Sequence, residues 1–287
     1  MKIGIDLDNT IANYNNSILN LAIKLKLVPL DWKGNKFETK KYLISQKGGQ
    51  VLWKKLQGQI YGRYMKQAEV FEGFYPFLNT MLCKNHEIYI ISHKTEFGHY
   101  DVEKIPLRKV AKEWLKENKI IKKNKFGIFE ENIFFLSSKK EKIAKIESLN
   151  LDFFIDDLKA ILVSIKNLKT KKIFFKGNSN SVSKNFKSFD SWNQILRYIQ
   201  SEIKFLEIQQ NVEKITNDKI IKLYEIKKGI NSKVFKVESK NKNYTLKMYP
   251  PLLADGHNRL LSEINALNIL KSHDRTAKVL GYNKKNN

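Results

Sequence analysis

The first ten residues, MKIGIDLDNT (1–10), hold the segment that decides the fold. The run from Lys2 to Leu7 is short, carries alternating β-branched residues and ends in the polar Asp8-Asn9-Thr10. That is the pattern of a buried strand emptying into a loop. Downstream the same grammar repeats. EIYIIS (87–92), NIFFL (132–136), LDFFIDD (151–157) and KKIFFKG (171–177) read as strands. Between them lie helical segments at 106–118, opened by Pro106, and at 139–149, with a last helix begun by Asp190 or Ser191. Strands apolar on both faces that alternate with helices predict an α/β fold, a parallel sheet covered by helices. Such sheets bind ligands beyond the carboxyl ends of their strands.

Residues 14–72 interrupt the alternation and predict a helical insertion. One helix is expected over 17–28, with Ser17 as its cap and Ile18, Leu21, Ala22 and Leu25 on one face. After a Gly- and Lys-rich stretch, a second is expected from about 50 to 64, presenting Leu52, Leu56 and Ile60.

Composition narrows the class. The 287 residues carry 53 Lys and Arg against 29 Asp and Glu, a net charge of +24, and 42% are hydrophobic, enough for one large core or two ordinary ones. Cys83 is the single cysteine, which excludes a disulfide framework and a multi-thiolate metal site. No run approaches the roughly 18 consecutive apolar residues of a membrane span, and the chain is read as a soluble, cytoplasmic protein. Arginine stands at only five positions, so lysine supplies the other 48 positive charges. Nucleic-acid sites favour arginine for bidentate contacts, and the charge is therefore read as lysine bias over an ordinary surface.

Three strand ends carry the chemistry: Asp6-Leu7-Asp8-Asn9-Thr10, Ser92-His93-Lys94-Thr95 and Asp156-Asp157. An aspartate pair at i and i+2 just past a strand can aim both groups at one pocket. Two further carboxylates converging there would repel one another without a cation, and all-oxygen ligands suggest Mg²⁺.

This ordered set, DLDNT, a hydrophobic strand ending in Ser92, a later lysine and IDD, resembles the four motifs of haloacid dehalogenase-superfamily phosphatases. The resemblance covers residues 1 to about 205 and implies a Rossmann-like sheet with a cap at 14–72. Within the superfamily the chain is most similar to the 5′(3′)-deoxyribonucleotidase-like branch, on FEGFYPFLNTML (71–82), Lys104 and the IDD ending. The resemblance implies that Asp6 is the nucleophile of an aspartyl-phosphate route and Asp8 the general acid and base. It places Mg²⁺ between the Asp6 carboxylate, the Asp8 backbone carbonyl and Asp156 or Asp157. Thr10 positions the loop, while the Ser92 hydroxyl and a lysine hold phosphate oxygens, with His93 beside them and Lys104 as a second phosphate ligand. The implied substrate is a small phosphorylated molecule, a nucleotide or sugar phosphate.

Ser138-Lys139-Lys140-Glu141 reads as a capping box that puts Lys139 and Lys140 in the first helical turn, where the helix dipole disfavours cations. Lys140 is the favoured phosphate lysine, with Lys139 and Lys142 as alternatives. The spacing of His86, His93 and His99 matches no zinc pattern.

From about residue 213 the character changes. Three strands are expected over 221–249, with Gly229 in the first turn and Asn241-Lys242-Asn243 in the second, then a helix over 258–270. Gly229-Ile230-Asn231-Ser232, then Lys247 and then Glu263, resemble the amino-terminal lobe of aminoglycoside or choline kinase-like phosphotransferases. There the strand lysine pairs with the helix glutamate and contacts ATP phosphates. Residues 213–287 are thus read as a partial kinase-like lobe without kinase activity. Two other functions compete with the phosphatase: a nucleic-acid-binding or polynucleotide end-processing protein using the basic surface, and a nucleotide-binding regulatory module formed by the tail.

Overall fold

In the computed structural model, which describes residues 1–122, 126–177, 185–228, 232–250, 258–273 and 276–283, the predicted strand Lys2–Ile5 (β1) lies at the centre of a six-stranded sheet. The chain leaves β1 through a two-residue strand, Ala12–Asn13 (β2), and three helices, Asn15–Lys24 (α1), Lys36–Ile44 (α2) and Gly49–Tyr61 (α3). It returns along Glu69–Val70 (β3), which pairs antiparallel with β2. A helix, Phe74–Cys83 (α4), leads to strand Glu87–His93 (β4), and helix Leu107–Glu117 (α5) to strand Ile133–Leu136 (β5). Helix Lys139–Ser148 (α6), strand Phe153–Asp156 (β6), helix Lys159–Ser164 (α7), strand Lys171–Phe175 (β7), strand Lys187–Phe189 (β8) and helix Trp192–Thr216 (α8) follow.

The sheet order is β5-β4-β1-β6-β7-β8, and every pairing is parallel. The chain moves from β1 to one side and later returns to its other side. The carboxyl end of β1 is therefore a topological switch point, where a crevice must form. Gly4 is required in this strand: an ideal Cβ there would lie 2.5 Å from Leu151 Cδ1 and 2.8 Å from Phe154 Cδ2. One sheet face buries Tyr89, Ile91, Ile146, Leu151, Phe154, Ile161 and Leu162 in a single cluster. Elsewhere Trp192 packs between Phe74, Phe77 and Phe175 at ring distances of 5.0, 4.7 and 5.6 Å, and its Nε1 donates to the Thr10 carbonyl at 3.0 Å. Core packing thereby reaches the loop after β1.

The insertion departs from expectation in two places. Helix α1 begins at Asn15, so Ser17 is an internal residue whose hydroxyl donates back to the Tyr14 carbonyl, and it is not a cap. The Gly- and Lys-rich stretch also contains α2, held by a full capping box. Asn35 accepts from the backbone amides of Phe37 and Glu38, and Glu38 accepts from the amide of Asn35. Composition hid a helix that its cap residues announce.

The chain divides into two units, Met1–Arg197 and Tyr198–Asn287. In the second, strands Ile220–Lys228 (β9), Lys233–Ser239 (β10) and Asn243–Met248 (β11) form an antiparallel sheet ordered β11-β10-β9. It buries Leu223, Phe235 and Val237 against Val212, and helix Arg259–Ile269 (α9) follows. The first predicted turn, Gly229-Ile230-Asn231, lies outside the described residues. No helix among the described residues is long and apolar enough to cross a membrane.

Candidate active site

Four aspartates meet at the carboxyl ends of β1 and β6. Asp6 follows β1 directly, and its backbone amide donates to the Ile155 carbonyl at 2.9 Å, which extends the β1–β6 ladder by one step. The loop then turns tightly: the amides of Ile11 and Ala12 both donate to the Leu7 carbonyl, and Asn9 adopts a φ of 62°. Asparagine tolerates that left-handed conformation better than most residues. The turn places Asp8 beside Asp6. Asp156 ends β6 and is fully buried, with Oδ1 accepting from the Leu158 amide at 2.7 Å. Carboxylate oxygens of Asp6, Asp156 and Asp157 lie within 4.8 Å of one another.

The cation among them is Lys142. Its Nζ donates to Asp6 Oδ1 at 2.6 Å and to Asp156 Oδ2 at 2.7 Å, and the side chain is 1% exposed. Lys139 and Lys140 occupy the exposed first turn of α6, so Lys140 does not reach the carboxylates. Of the three candidate lysines, the structure brings Lys142 to the carboxylates. The physical reason is helical phase: Lys142 stands four residues before the buried Ile146 and shares its inward face. Half of the predicted capping box is present, with Glu141 N donating to Ser138 Oγ at 3.2 Å. Glu141 reaches back to the amide of Ser137, one residue earlier than the motif expects.

The end of β4 supplies Ser92, 1% exposed, two residues before Lys94, 2% exposed. Lys94 was not singled out in the sequence. Its ammonium straddles Asp8, 3.0 Å from each oxygen, and lies 5.0 Å from the centre of the Tyr61 ring. The Tyr14 hydroxyl donates to Asp8 Oδ1 at 2.6 Å. The signal was present in the alternation, since residues i and i+2 of one strand face the same way. The structure does not bring Lys104 or His93 to the carboxylates. Lys104 is exposed with a φ of 47°, and the exposed His93 ring meets the Ser137 carbonyl at 3.1 Å. Thr10 is buried with its hydroxyl lacking a hydrogen-bond partner among the described residues.

Burial dominates the electrostatics. It pushes the Asp6 carboxyl up to about 7, against the opposing pull of Lys142, and Asp156 and Asp8 add to the rise. Burial likewise holds Asp157 well above the carboxylate range, with Lys36 pulling the other way. Lys36, the first residue of α2, is itself lowered by burial, against the raising influence of Asp157 and Asp8. Burial and the Asp8 charge hold the phenols of Tyr14 and Tyr61 above their ordinary value. The insertion thus supplies Tyr14, Lys36 and Tyr61 to the edge of the carboxylate cluster.

Burial raises two of these carboxylates, Asp6 and Asp157, although Lys142 and Lys36 pull the other way. The donor set is oxygen only, which fits a hard divalent cation such as Mg²⁺.

In the second unit Lys247 pairs with Glu263, the pairing that the kinase-like resemblance implies. Beside the pair lies a cavity of about 540 Å³ lined by Tyr244, Leu246, Tyr249, Leu260 and Ile264 among others.

No family model matches the chain. It is similar to "Putative nucleotidase OB0422" of Oceanobacillus iheyensis, with 20% identity over 202 residues that span 69% of this chain and 98% of that one. It is also similar to a "Putative nucleotidase" of Bacillus cereus, with 25% identity over 213 residues, 71% of this chain and 100% of that one. Among solved structures, a HAD-superfamily hydrolase from Ehrlichia chaffeensis aligns with 70% of this chain and 97% of its own, at 14% identity and a TM-score of 0.42. The protein tyrosine kinase PtkA of Mycobacterium tuberculosis aligns with 69% of this chain and 96% of its own, at 13% identity and a TM-score of 0.44.

Proposed function

We propose that residues 1–205 form a HAD-type phosphomonoester hydrolase acting on a small phosphorylated molecule, with nucleotides as the favoured class. One observation carries the reading: Lys142 buried between Asp6 and Asp156, with Asp8 two residues beyond Asp6 at the switch point of a parallel sheet. The similarity to two proteins named as nucleotidases supports the substrate class.

The residues divide the work as follows. Asp6 attacks phosphorus, forming an aspartyl-phosphate as the ester oxygen leaves. Asp8 gives its proton to that oxygen, then takes one from the water that attacks the aspartyl-phosphate and regenerates Asp6. Lys142 orients Asp6 and offsets charge on the phosphoryl oxygens, and Ser92 contributes a hydroxyl donor. Asp6, Asp156 and Asp157, with the Asp8 carbonyl, would hold Mg²⁺, which supplies charge neutralisation to the transferring phosphoryl group. Replacing Asp6 by Asn tests the proposal. Hydrolysis of an aryl phosphate in the presence of Mg²⁺ is expected to vanish while the far-ultraviolet spectrum stays unchanged, and undiminished turnover would overturn it.

For the second unit we infer a phosphotransferase-like lobe that binds nucleotide without catalysis. The pair Lys247–Glu263 beside a cavity supports this reading. Titration with ATP is expected to shift resonances around Lys247, and their invariance would dismiss it.

A further inference from the structure

Two donors from distant segments converge on Asp8. A carboxylate offers about four lone-pair positions. Tyr14 occupies one on Oδ1, and Lys94 straddles both oxygens at 3.0 Å. Both hydrogen bonds fall on Oδ1, so Oδ2 is the oxygen left to meet a reacting oxygen.

The two donors are themselves fixed. The Lys94 amide donates to the Leu136 carbonyl at 2.8 Å, which continues the β4–β5 ladder past the end of the strand. Its carbonyl accepts from Arg108 Nε at 3.0 Å. The Lys94 side chain is 1% exposed, and its ammonium lies over the Tyr61 ring. Tyr14 is 1% exposed, makes an edge contact with Tyr61 at 4.9 Å and approaches Met65 Sδ at 3.7 Å. One clamp arm thus comes from the sheet and the other from the start of the helical insertion.

We propose that Lys94, together with Tyr14, is a positioning residue that fixes the orientation of Asp8, so that a single carboxylate oxygen is presented for proton transfer to the leaving group. This rests on the reading of Asp6 as nucleophile and Asp8 as acid and base. The balance is simple: the proton on Asp8 passes to the departing ester oxygen as the P–O bond to Asp6 forms. The attacking water later returns a proton to Asp8. Lys94 and Tyr14 keep their protons throughout.

The experiment compares two leaving groups in the full-length protein with Mg²⁺. A p-nitrophenolate leaves without protonation, whereas the alkoxide of glycerol 2-phosphate needs a proton. The ratio kcat/KM covers steps only through loss of the leaving group. For Lys94→Met it is expected to fall about 100-fold on the alkyl ester and less than about 3-fold on the aryl ester, because a misplaced acid matters only where an acid is used. Lys94→Arg is expected to recover part of the alkyl activity. Equal losses of kcat/KM on both esters would overturn the proposal by making Lys94 a structural or phosphate-binding residue. Should Lys94→Met fail to fold, Tyr14→Phe decides: it removes only a hydroxyl, and a loss confined to the alkyl ester supports the clamp, while no loss or an equal loss overturns it. An active Asp6→Asn would sink the phosphatase reading itself. An inactive Asp6→Asn beside a non-selective Lys94→Met would sink only the clamp.

Discussion

Lys142 Nζ lies 2.6 Å from Asp6 Oδ1 although the two residues stand 136 positions apart in the chain. The same ammonium reaches Asp156 at 2.7 Å, so one cation from α6 ties the ends of β1 and β6 together in a site closed to solvent. The strands set the carboxylates side by side, and the helix brings the charge that lets them stay there.

Lys142→Met is therefore expected to damage both activity and stability. Loss of a preorganised donor lowers kcat by roughly 10²–10³-fold. Breaking a buried pair costs about 3–5 kcal/mol, here moderated because the stranded carboxylates can take up protons. Lys140→Ala, on the exposed turn of the same helix, is expected to change stability by less than about 0.5 kcal/mol. Steady-state kinetics and thermal melts of the two variants check the contrast, and similar losses in both would return the assignment to Lys140.

The pH dependence follows from Asp6. Its folded-state carboxyl titrates at about 7, raised chiefly by burial, whereas an unfolded aspartate titrates near 3.9. Between these values the folded state holds a proton that the unfolded state lacks. The metal-free protein therefore loses stability as pH rises from about 4 to about 7. A divalent cation must displace that proton, so the increase in Tm on adding Mg²⁺ is expected to be small near pH 5 and to grow toward about pH 8. Asp157→Asn should reduce that increase at every pH. A Mg²⁺ effect independent of pH would show that the cation does not bind at Asp6.

Most of the sheet was legible because each buried strand is a short β-branched or aromatic run ended by polar residues, and the ends carry the carboxylates. What was not legible depended on phase and on distance. Periodicity shows that Lys142 falls on the face of Ile146, but the capping box drew attention to the turn before it. Helix α2 was obscured because its apolar residues form no single face: Phe37 and Ile44 are exposed, and only Thr39 and Leu43 are buried. The clamp on Asp8 joins Tyr14, Lys94 and Tyr61 from three separate segments, and no local pattern relates them. Lys104 shows the opposite case: it was named on a resemblance, and the structure leaves it exposed and apart from the carboxylates.

The seat of the insertion gives a third prediction. Gly58 in α3 faces Gly98 in the loop after β4, and an ideal Cβ on Gly98 would lie 2.9 Å from Gly58 Cα. Backbone meets backbone there, so neither side can yield by rotating a side chain. Gly98→Ala is expected to push α3 off this loop, at a cost of about 1–3 kcal/mol as an overpacked contact. Tyr61 ends α3 and lies beneath Lys94, so the shift also disturbs the clamp. The expected signature is a lowered Tm with a larger loss of kcat/KM on alkyl than on aryl phosphates. A variant with wild-type stability and kinetics would show that the contact is loose.

Trp192 supplies the last test, because it links the core to the loop after β1 through one hydrogen bond. Its indole is wholly buried among Phe74, Phe77 and Phe175, and its Nε1 donates to the Thr10 carbonyl. Trp192→Ala removes both contributions and is expected to cost about 3–5 kcal/mol. Trp192→Phe keeps most of the apolar volume and leaves a buried carbonyl unpaired, at about 1–3 kcal/mol. If the bond positions the loop that carries Asp8, Trp192→Phe lowers kcat beyond what its melting temperature explains. If the residue only fills space, kcat at a temperature well below Tm stays at the wild-type value. Measuring both quantities on the one variant separates packing from positioning, which the alanine variant cannot do.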